Sequence, residues 1–312
     1  MVRIGVSTVA FKKSEEMFEF HQKTRVPFEY SVNLPSEEVE RAISMNLPGL
    51  SVHVPSPNEG FFPNFASSDP AVLKKSYEIL EKSIVTLKRT FSMDSESRGI
   101  LVLHPGYALN DIVPSLYSER KQFLDGKVAR YERFLLERSG IISNAEYVKS
   151  DDYRKHFEIF LRNLPKVVEV VKNEGFILAV ENLNPRLFYI LQTPDEIEEM
   201  SDEVKDVNLC LDISHLWVSA QVAEFDYFEG VRRIMETGKV VHIHISNNPS
   251  KKGLYEDPHL DLDLGEMDVD SILGCIFEYT MDLNLILEVK KNPLKNLEFL
   301  KGIISRYLGE LG

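Results

Sequence analysis

FILAVEN at 176–182, VNLCLDISH at 207–215 and VVHIHISNN at 240–248 share one pattern: an apolar, strand-like run that stops at a carboxylate or an imidazole. LSVHVP (50–55), ILVLHPG (100–106) and LILEV (285–289) repeat it. A parallel barrel keeps its functional groups where the strands finish, so these endings place His53, His104, Glu181, Asp212, His215, His244 and Glu288 on one rim. Asp257 and His259, in EDPHLDLDLGEMD (256–268), follow in the loop after the strand that ends at His244. A stable core has no use for nine ligand-type side chains on one face, and burying them together requires cations. The expectation is a multinuclear metal site.

Working outward, strand-like runs fall at 2–8, 27–33, 50–54, 100–104, 176–181, 207–212, 239–245 and 284–289. Amphipathic stretches separate them, such as 70–91 with Val72, Tyr77, Leu80, Ile84 and Leu87 at helical spacing, and 292–308 at the end. Eight strands alternating with helices give the fold class α/β, a (β/α)8 TIM barrel, with residues 1–312 as one domain. Period-two alternation puts Ile177 and Ala179 on the face of Glu181, and Asn208 and Cys210 on that of Asp212, so the carboxylates point inward. One crossover is too long. The 76 residues between His104 and Glu181 exceed what one helix needs. A helix over about 165–173 serves the crossover, which leaves 107–150 as a helical insertion after the fourth strand, its helix suggested by Leu116, Phe123, Leu124, Val128, Tyr131 and Leu135. It reads equally as a packing decoration or as a lid.

Two cysteines, Cys210 and Cys275, supply neither a disulfide framework nor a thiolate zinc site. The start MVRIGVSTVAF has no leader pattern, and no run reaches the ~18 apolar residues of a membrane span, so a cytoplasmic protein without a membrane partner is expected. A net charge of −13 argues against broad nucleic-acid affinity; bound divalent ions would cancel part of it locally.

HISNNPSKKGLYEDPHLDLDLGEMD (244–268), HPG (104–106), LDISH (211–215) and HVPSPNEGFFPNFASSD (53–69) carry a resemblance. The chain resembles the xylose-isomerase-like barrel superfamily, and within it endonuclease IV, the zinc-dependent apurinic/apyrimidinic endonuclease. Two positions depart from that family: Pro258 stands where it has a basic residue, and Asn248 where it has Asp. The resemblance implies up to three divalent transition metals, zinc first, with manganese or iron as the other choices. His53 and His104 would hold one ion with Glu181 as a bridge to a second. Asp212, His244 and Glu288 would complete the second, and His215, Asp257 and His259 would hold a third.

A three-ion site implies a phosphoester hydrolase, with Glu181 bridging and Glu288 orienting the attacking water, and the resemblance implies abasic-site DNA as its substrate. The alternative is a single-metal sugar isomerase or epimerase of the same superfamily, acting on a small sugar or sugar phosphate. There Glu181, Asp212, His244 and Glu288 are the ligands and the two glutamates shuttle a proton at carbon. Expected substrate contacts are Phe61 and Phe62 of NEGFFPNF, Lys12 in the loop after the first strand, and Asn247 beside His244. Phe65 reads as core. His242, one layer below His244, reads as support for a ligand. His21 and His156 read as surface residues in helical patterns.

Overall fold

A computed structural model describes residues 2–91 and 98–309. Eight parallel strands close into a barrel: β1 (Arg3–Ser7), β2 (Phe28–Tyr30), β3 (Gly49–His53), β4 (Ile100–Leu103), β5 (Ile177–Glu181), β6 (Asn208–Asp212), β7 (Val240–Ile245) and β8 (Asn284–Leu287). Each strand pairs with its neighbours in the chain-order list, and β8 closes on β1 with Val6 opposite Leu287. The eight expected strands are all present, each within a few residues of its expected ends. Both faces of each strand are covered, one by helices and one by the barrel interior, which is why the runs are apolar almost throughout. Gly5 illustrates how tight that interior is: a Cβ there would meet Ile286 Cδ1 at 2.6 Å.

The helices are α1 (Ser14–Thr24), α2 (Ser36–Ser44), α3 (Pro70–Thr90), α4 (Tyr117–Asp125), α5 (Asp151–Asn173), α6 (Pro194–Glu203), α7 (Ile213–Ala223), α8 (Tyr227–Glu236), α9 (Val269–Phe277) and α10 (Pro293–Gly309). Among the described residues no helix is long and apolar enough to cross a membrane. Asp69 caps α3 by accepting from Ala71 N, and Pro70 fits the first turn because its missing N–H would have had no helical partner. Ser76 and Ser83, on the inner face of that helix, hold the loop after β3 by accepting from Asn64 N and Ser56 N. A helix therefore fixes the loop that follows His53.

Two helical expectations need correction. The crossover helix α5 is 23 residues long, starts at a Ser150 cap and continues through Pro165, because its apolar face from Tyr153 to Val171 is buried along its whole length. His156 lies on that buried face and not at the surface, with Nδ1 2.7 Å from Ala66 O. His21 is half-buried, and its Nδ1 lies 2.9 Å from Val26 O beyond the end of α1.

The insertion is less helical than its apolar spacing suggests. Only α4 is regular helix; past Gly126 come 3-10 turns and a short hairpin pairing Leu135–Glu137 with Ile142–Ser143. Phe61–Phe62 pair antiparallel with Val113–Pro114, tying the insertion to the loop after β3. A bridge between Ile142 and Arg186 ties it to the loop after β5. Both anchors are loops at the C-terminal ends of the strands, so the insertion stands on the rim that carries the ligand-type residues.

Candidate functional site

Glu181 ends β5 at the centre of this rim, buried, with imidazoles around both carboxylate oxygens. Oε2 lies 2.8 Å from His53 Nε2 and 3.1 Å from His104 Nε2, while Oε1 lies 3.1 Å from His244 Nδ1 and 3.5 Å from His215 Nδ1. Burial alone would raise its pKa, but His244 and His104 beside it hold Glu181 well below the usual carboxylate range. Asp212 ends β6 and caps α7, Oδ1 accepting from His215 N at 2.7 Å. Among the described residues its Oδ2 has no hydrogen-bond partner, and burial pushes Asp212 up to about 6 despite His215 alongside.

The ring nitrogens of the histidines bear on what fits between these groups. His53 Nδ1 sits 3.1 Å from Val54 O and His215 Nδ1 2.9 Å from Asn182 O, positions that require N–H on Nδ1. His244 is turned the other way, with Nδ1 3.1 Å from Glu181 Oε1 in hydrogen-bond geometry and Nε2 2.9 Å from Glu29 Oε1 outside it. In the neutral rings of His53 and His215 the remaining Nε2 carries a lone pair and faces a carboxylate oxygen, Glu181 for His53 and Asp257 at 3.2 Å for His215. Lone pair against carboxylate is repulsive unless a proton or a cation lies between. Glu288 Oε2, 3.2 Å from His244 Nδ1, also has no hydrogen-bond partner among the described residues.

Glu181, Asp212, His244 and Glu288 each offer a ligand atom, all within 4.8 Å of one another and all buried. Three carboxylates and one imidazole without sulfur suit a divalent transition ion such as manganese, iron or zinc. His53 with Glu181 and His244 forms a second grouping, and His215, Asp257 and His259 a third. All nine expected ligand-type residues therefore come together. Their charges are mutually adjusted: His259 rises to about 9, since Asp257 and Glu288 outweigh its burial, and His104 is driven down to about 4 by burial.

Glu29 is the residue the sequence did not reveal. Its carboxylate is fully buried inside the barrel, with Oε2 2.8 Å from His242 Nε2 and accepting from Ser51 Oγ at 2.8 Å, while Oε1 faces His244. Burial would raise its pKa, yet His244 and His242 keep it far below the usual range. His242, expected to support a ligand, has Glu29 as its partner and also falls in a grouping with Cys210 and His244. Asn182 was also missed: its amide clasps the end of β6, accepting from Asp212 N and donating to Asp212 O. Asn184 donates to Asp257 Oδ2 at 3.0 Å.

The four expected substrate contacts fare differently. Phe62 is only 3% exposed: one face stacks on His104 at 5.1 Å and the Arg120 guanidinium lies 4.9 Å from the ring centroid. It lines the cavity as a wall and has no free face to wedge into a base stack. Phe61 is 39% exposed, and Phe65 is core, packed edge-on against Tyr77. Lys12 is exposed at the turn before α1 and is absent from the cavity lining; Val9 takes that place because Phe11 is buried and turns the chain outward. Asn247 does not face a substrate. Its Nδ2 donates to Leu262 O and Met267 O, and its Oδ1 accepts from Met267 N and Asn248 N, so it braces the loop that carries Asp257 and His259.

A cavity of about 750 Å³ opens above the ligand cluster. Residues 115–117, Arg120, Glu137, Ser139 and Gly140 of the insertion form part of its wall. The insertion thus borders the mouth.

Residues 3–303 match the model of the family described as xylose isomerase-like TIM barrel. The chain belongs to that family. No curated protein matches it. Among solved structures it is similar to a D-tagatose 3-epimerase-like protein (18% identity, TM-score 0.67, covering 99% of this chain and 100% of that one). It is also similar to an L-ribulose 3-epimerase (17%, 0.58, 97% and 86%) and to the 3-keto-D-glucoside 4-epimerase of E. coli (12%, 0.60, 98% and 98%). At these identities the likeness concerns the fold.

Proposed function

We propose that this member of the family is a divalent-metal-dependent sugar isomerase or epimerase that moves a proton at a carbon next to a carbonyl. One observation carries the reading. Two glutamates, Glu181 and Glu288, are brought together with Asp212 and His244 in one buried four-residue set at the floor of a cavity sized for a small molecule. The names of the three similar structures, two sugar epimerases and one epimerase-like protein, support the same choice.

A bound divalent ion would polarise the substrate carbonyl and the neighbouring hydroxyl, making the intervening C–H acidic. One glutamate then takes the proton from carbon as the C–H bond breaks and its electron pair moves toward the carbonyl oxygen. The other glutamate, acting in its protonated form, gives its proton to carbon, on the opposite face for epimerisation, and is left ionised while the first keeps the proton it took. His244 beside both carboxylates favours their ionised forms, which keeps one ready as the base, and the other takes up a proton from solvent or a substrate hydroxyl before the transfer. His53 and His104 fix the far oxygen of Glu181, while His215, Asp257 and His259 are placed to meet substrate hydroxyls. The insertion, residues 107–150, serves as a lid that keeps water from the exposed carbanion.

Hydrolysis of abasic DNA lacks comparable support. Phe62 is covered, Lys12 lies away from the cavity and Asn247 is committed to its loop. Incubation of metal-replete protein with ketoses in deuterated water, read by mass and NMR, tests the reading. Deuterium at the carbon next to the carbonyl, lost in Glu181→Gln and Glu288→Gln, is expected. Cleavage of an abasic duplex without exchange into any sugar would refute it.

A further inference from the structure

Arg120 on α4 and Arg186 in the loop after β5 line the cavity, both half-buried. Among the described residues neither has a carboxylate oxygen within 4.0 Å. Every other described arginine either pairs with a carboxylate or is exposed to water. This is unexpected in a chain of net charge −13, where acids are abundant. A guanidinium stays charged under all working conditions, so sheltering two of them with no carboxylate in direct contact costs stability; Asp257 and Glu137 act on Arg186 only from beyond ion-pair distance.

Their committed hydrogen bonds all go to neutral oxygens. Arg120 Nε donates to Tyr189 Oη at 3.0 Å and Nη1 to Ser115 O at 2.6 Å. Arg186 Nη1 donates to Tyr117 Oη at 3.2 Å and to Gly140 O at 2.8 Å. The two guanidinium groups flank one ring, lying 5.7 Å and 5.4 Å from the centroid of Tyr117. Nη2 of each has no protein acceptor among the described residues. These contacts aim the side chains and leave donors over: each is oriented, charged and incompletely used. Lys290, two residues past Glu288, adds a third cation to the same lining without an acidic partner among the described residues.

We propose that Arg120 and Arg186 bind an oxyanion carried by the substrate, a carboxylate or a phosphate, so that the substrate class is an acidic sugar and not a neutral one. This rests on the isomerase reading for the other end of the molecule. The carbonyl end lies over Glu181 and Glu288, and the anionic tail lies under the insertion. Guanidinium groups recognise either oxyanion by paired, charge-assisted N–H donors. Because Arg120 sits on α4 and also covers Phe62, which in turn covers His104, the tail also secures the insertion over the site.

The test is calorimetric binding to metal-loaded protein of three ketohexose probes: neutral D-fructose, D-fructose 6-phosphate and D-fructuronate. At least one charged probe is expected to bind about tenfold or more tightly than D-fructose, a difference of about 1.4 kcal/mol. Arg120→Gln and Arg186→Gln should each bring the charged-to-neutral ratio down toward one, whatever the absolute affinities. Arg120→Lys, which keeps a cation over Phe62, should retain more of the ratio than Gln does, and thermal melts confirm that each variant is folded. Which probe wins distinguishes a phosphate from a carboxylate. Equal binding of all three probes by the wild type, or an unchanged ratio in both Gln variants, overturns the proposal. Solvent-deuterium exchange is read separately: anion preference without exchange sinks the isomerase reading and leaves this one, and exchange without preference does the reverse.

Discussion

Glu29 Oε1 lies 2.9 Å from Nε2 of His244, and on the opposite edge of that ring Nδ1 faces Glu181, Asp212 and Glu288. A carboxylate packed behind a histidine holds the orientation of the ring and strengthens its binding of a cation on the other edge. Glu29 is itself shared with His242 and Ser51, so four groups from three strands act together inside the barrel.

Glu29→Gln should therefore weaken metal binding by about 10- to 100-fold while the barrel still folds, since the amide fills the same space. Competition with a chromophoric chelator measures the affinity. Wild-type affinity in the variant would show that His244 is oriented by packing alone.

Phe62→Ala should cost about 3–5 kcal/mol of stability, because the ring is nearly fully buried between His104 and Arg120. Denaturant midpoints at unchanged slope provide the measure. A loss below about 1 kcal/mol would mean that the ring is exposed in solution, as the reading of NEGFFPNF as a wedge requires.

The difference between those two readings of Phe62 shows where sequence runs out. Six of the eight strand ends were legible because the apolar run stops at a ligand-type residue, and that junction survives in one dimension. Glu29 sits in mid-strand between Phe28 and Tyr30, with no terminus to mark it, and its partners come from β3 and β7. Only barrel closure brings them near. His156 and Asn247 fail for a related reason: one turns a polar ring into a buried helix face, the other spends its amide on its own loop. In the insertion, apolar spacing beyond Gly126 matched a helix, but the chain there is stabilised by a hairpin that pairs across a loop.

Glu38 gives a pH-dependent prediction away from the site. Its Oε2 accepts from both N and Oγ of Ser14 at 2.8 Å, so a side chain from α2 satisfies the start of α1. These hydrogen bonds, with Arg41 adding, hold its carboxyl below the ordinary value. A depressed carboxyl stabilises the fold above the unfolded value of about 4.3, and that contribution is lost as pH falls through the folded value. Glu38→Gln should destabilise by about 1–2 kcal/mol near neutral pH, with the difference from wild type shrinking below pH ~4. A difference that stays constant down to pH ~3 would contradict the assignment.

Metal removal decides between one ion and three. If Glu181, Asp212, His244 and Glu288 form the working site, protein purified without chelators should hold one tightly bound divalent ion per chain. At a thousandfold excess over Kd such an ion stabilises the fold by about 4 kcal/mol, which vanishes on treatment with a strong chelator and returns on adding manganese, cobalt or zinc. Asp212→Asn should abolish this metal-dependent gain. His259→Ala, which removes a member of the grouping with His215 and Asp257 and reaches Glu288 of the inner set only at 3.9 Å, should leave both the ion count and the gain in place. Elemental analysis reads the count and thermal melts read the gain. Two or three ions in the wild type, with a loss of one in His259→Ala, would mean that the outer histidines are metal ligands and would restore the hydrolase chemistry that a multinuclear centre serves.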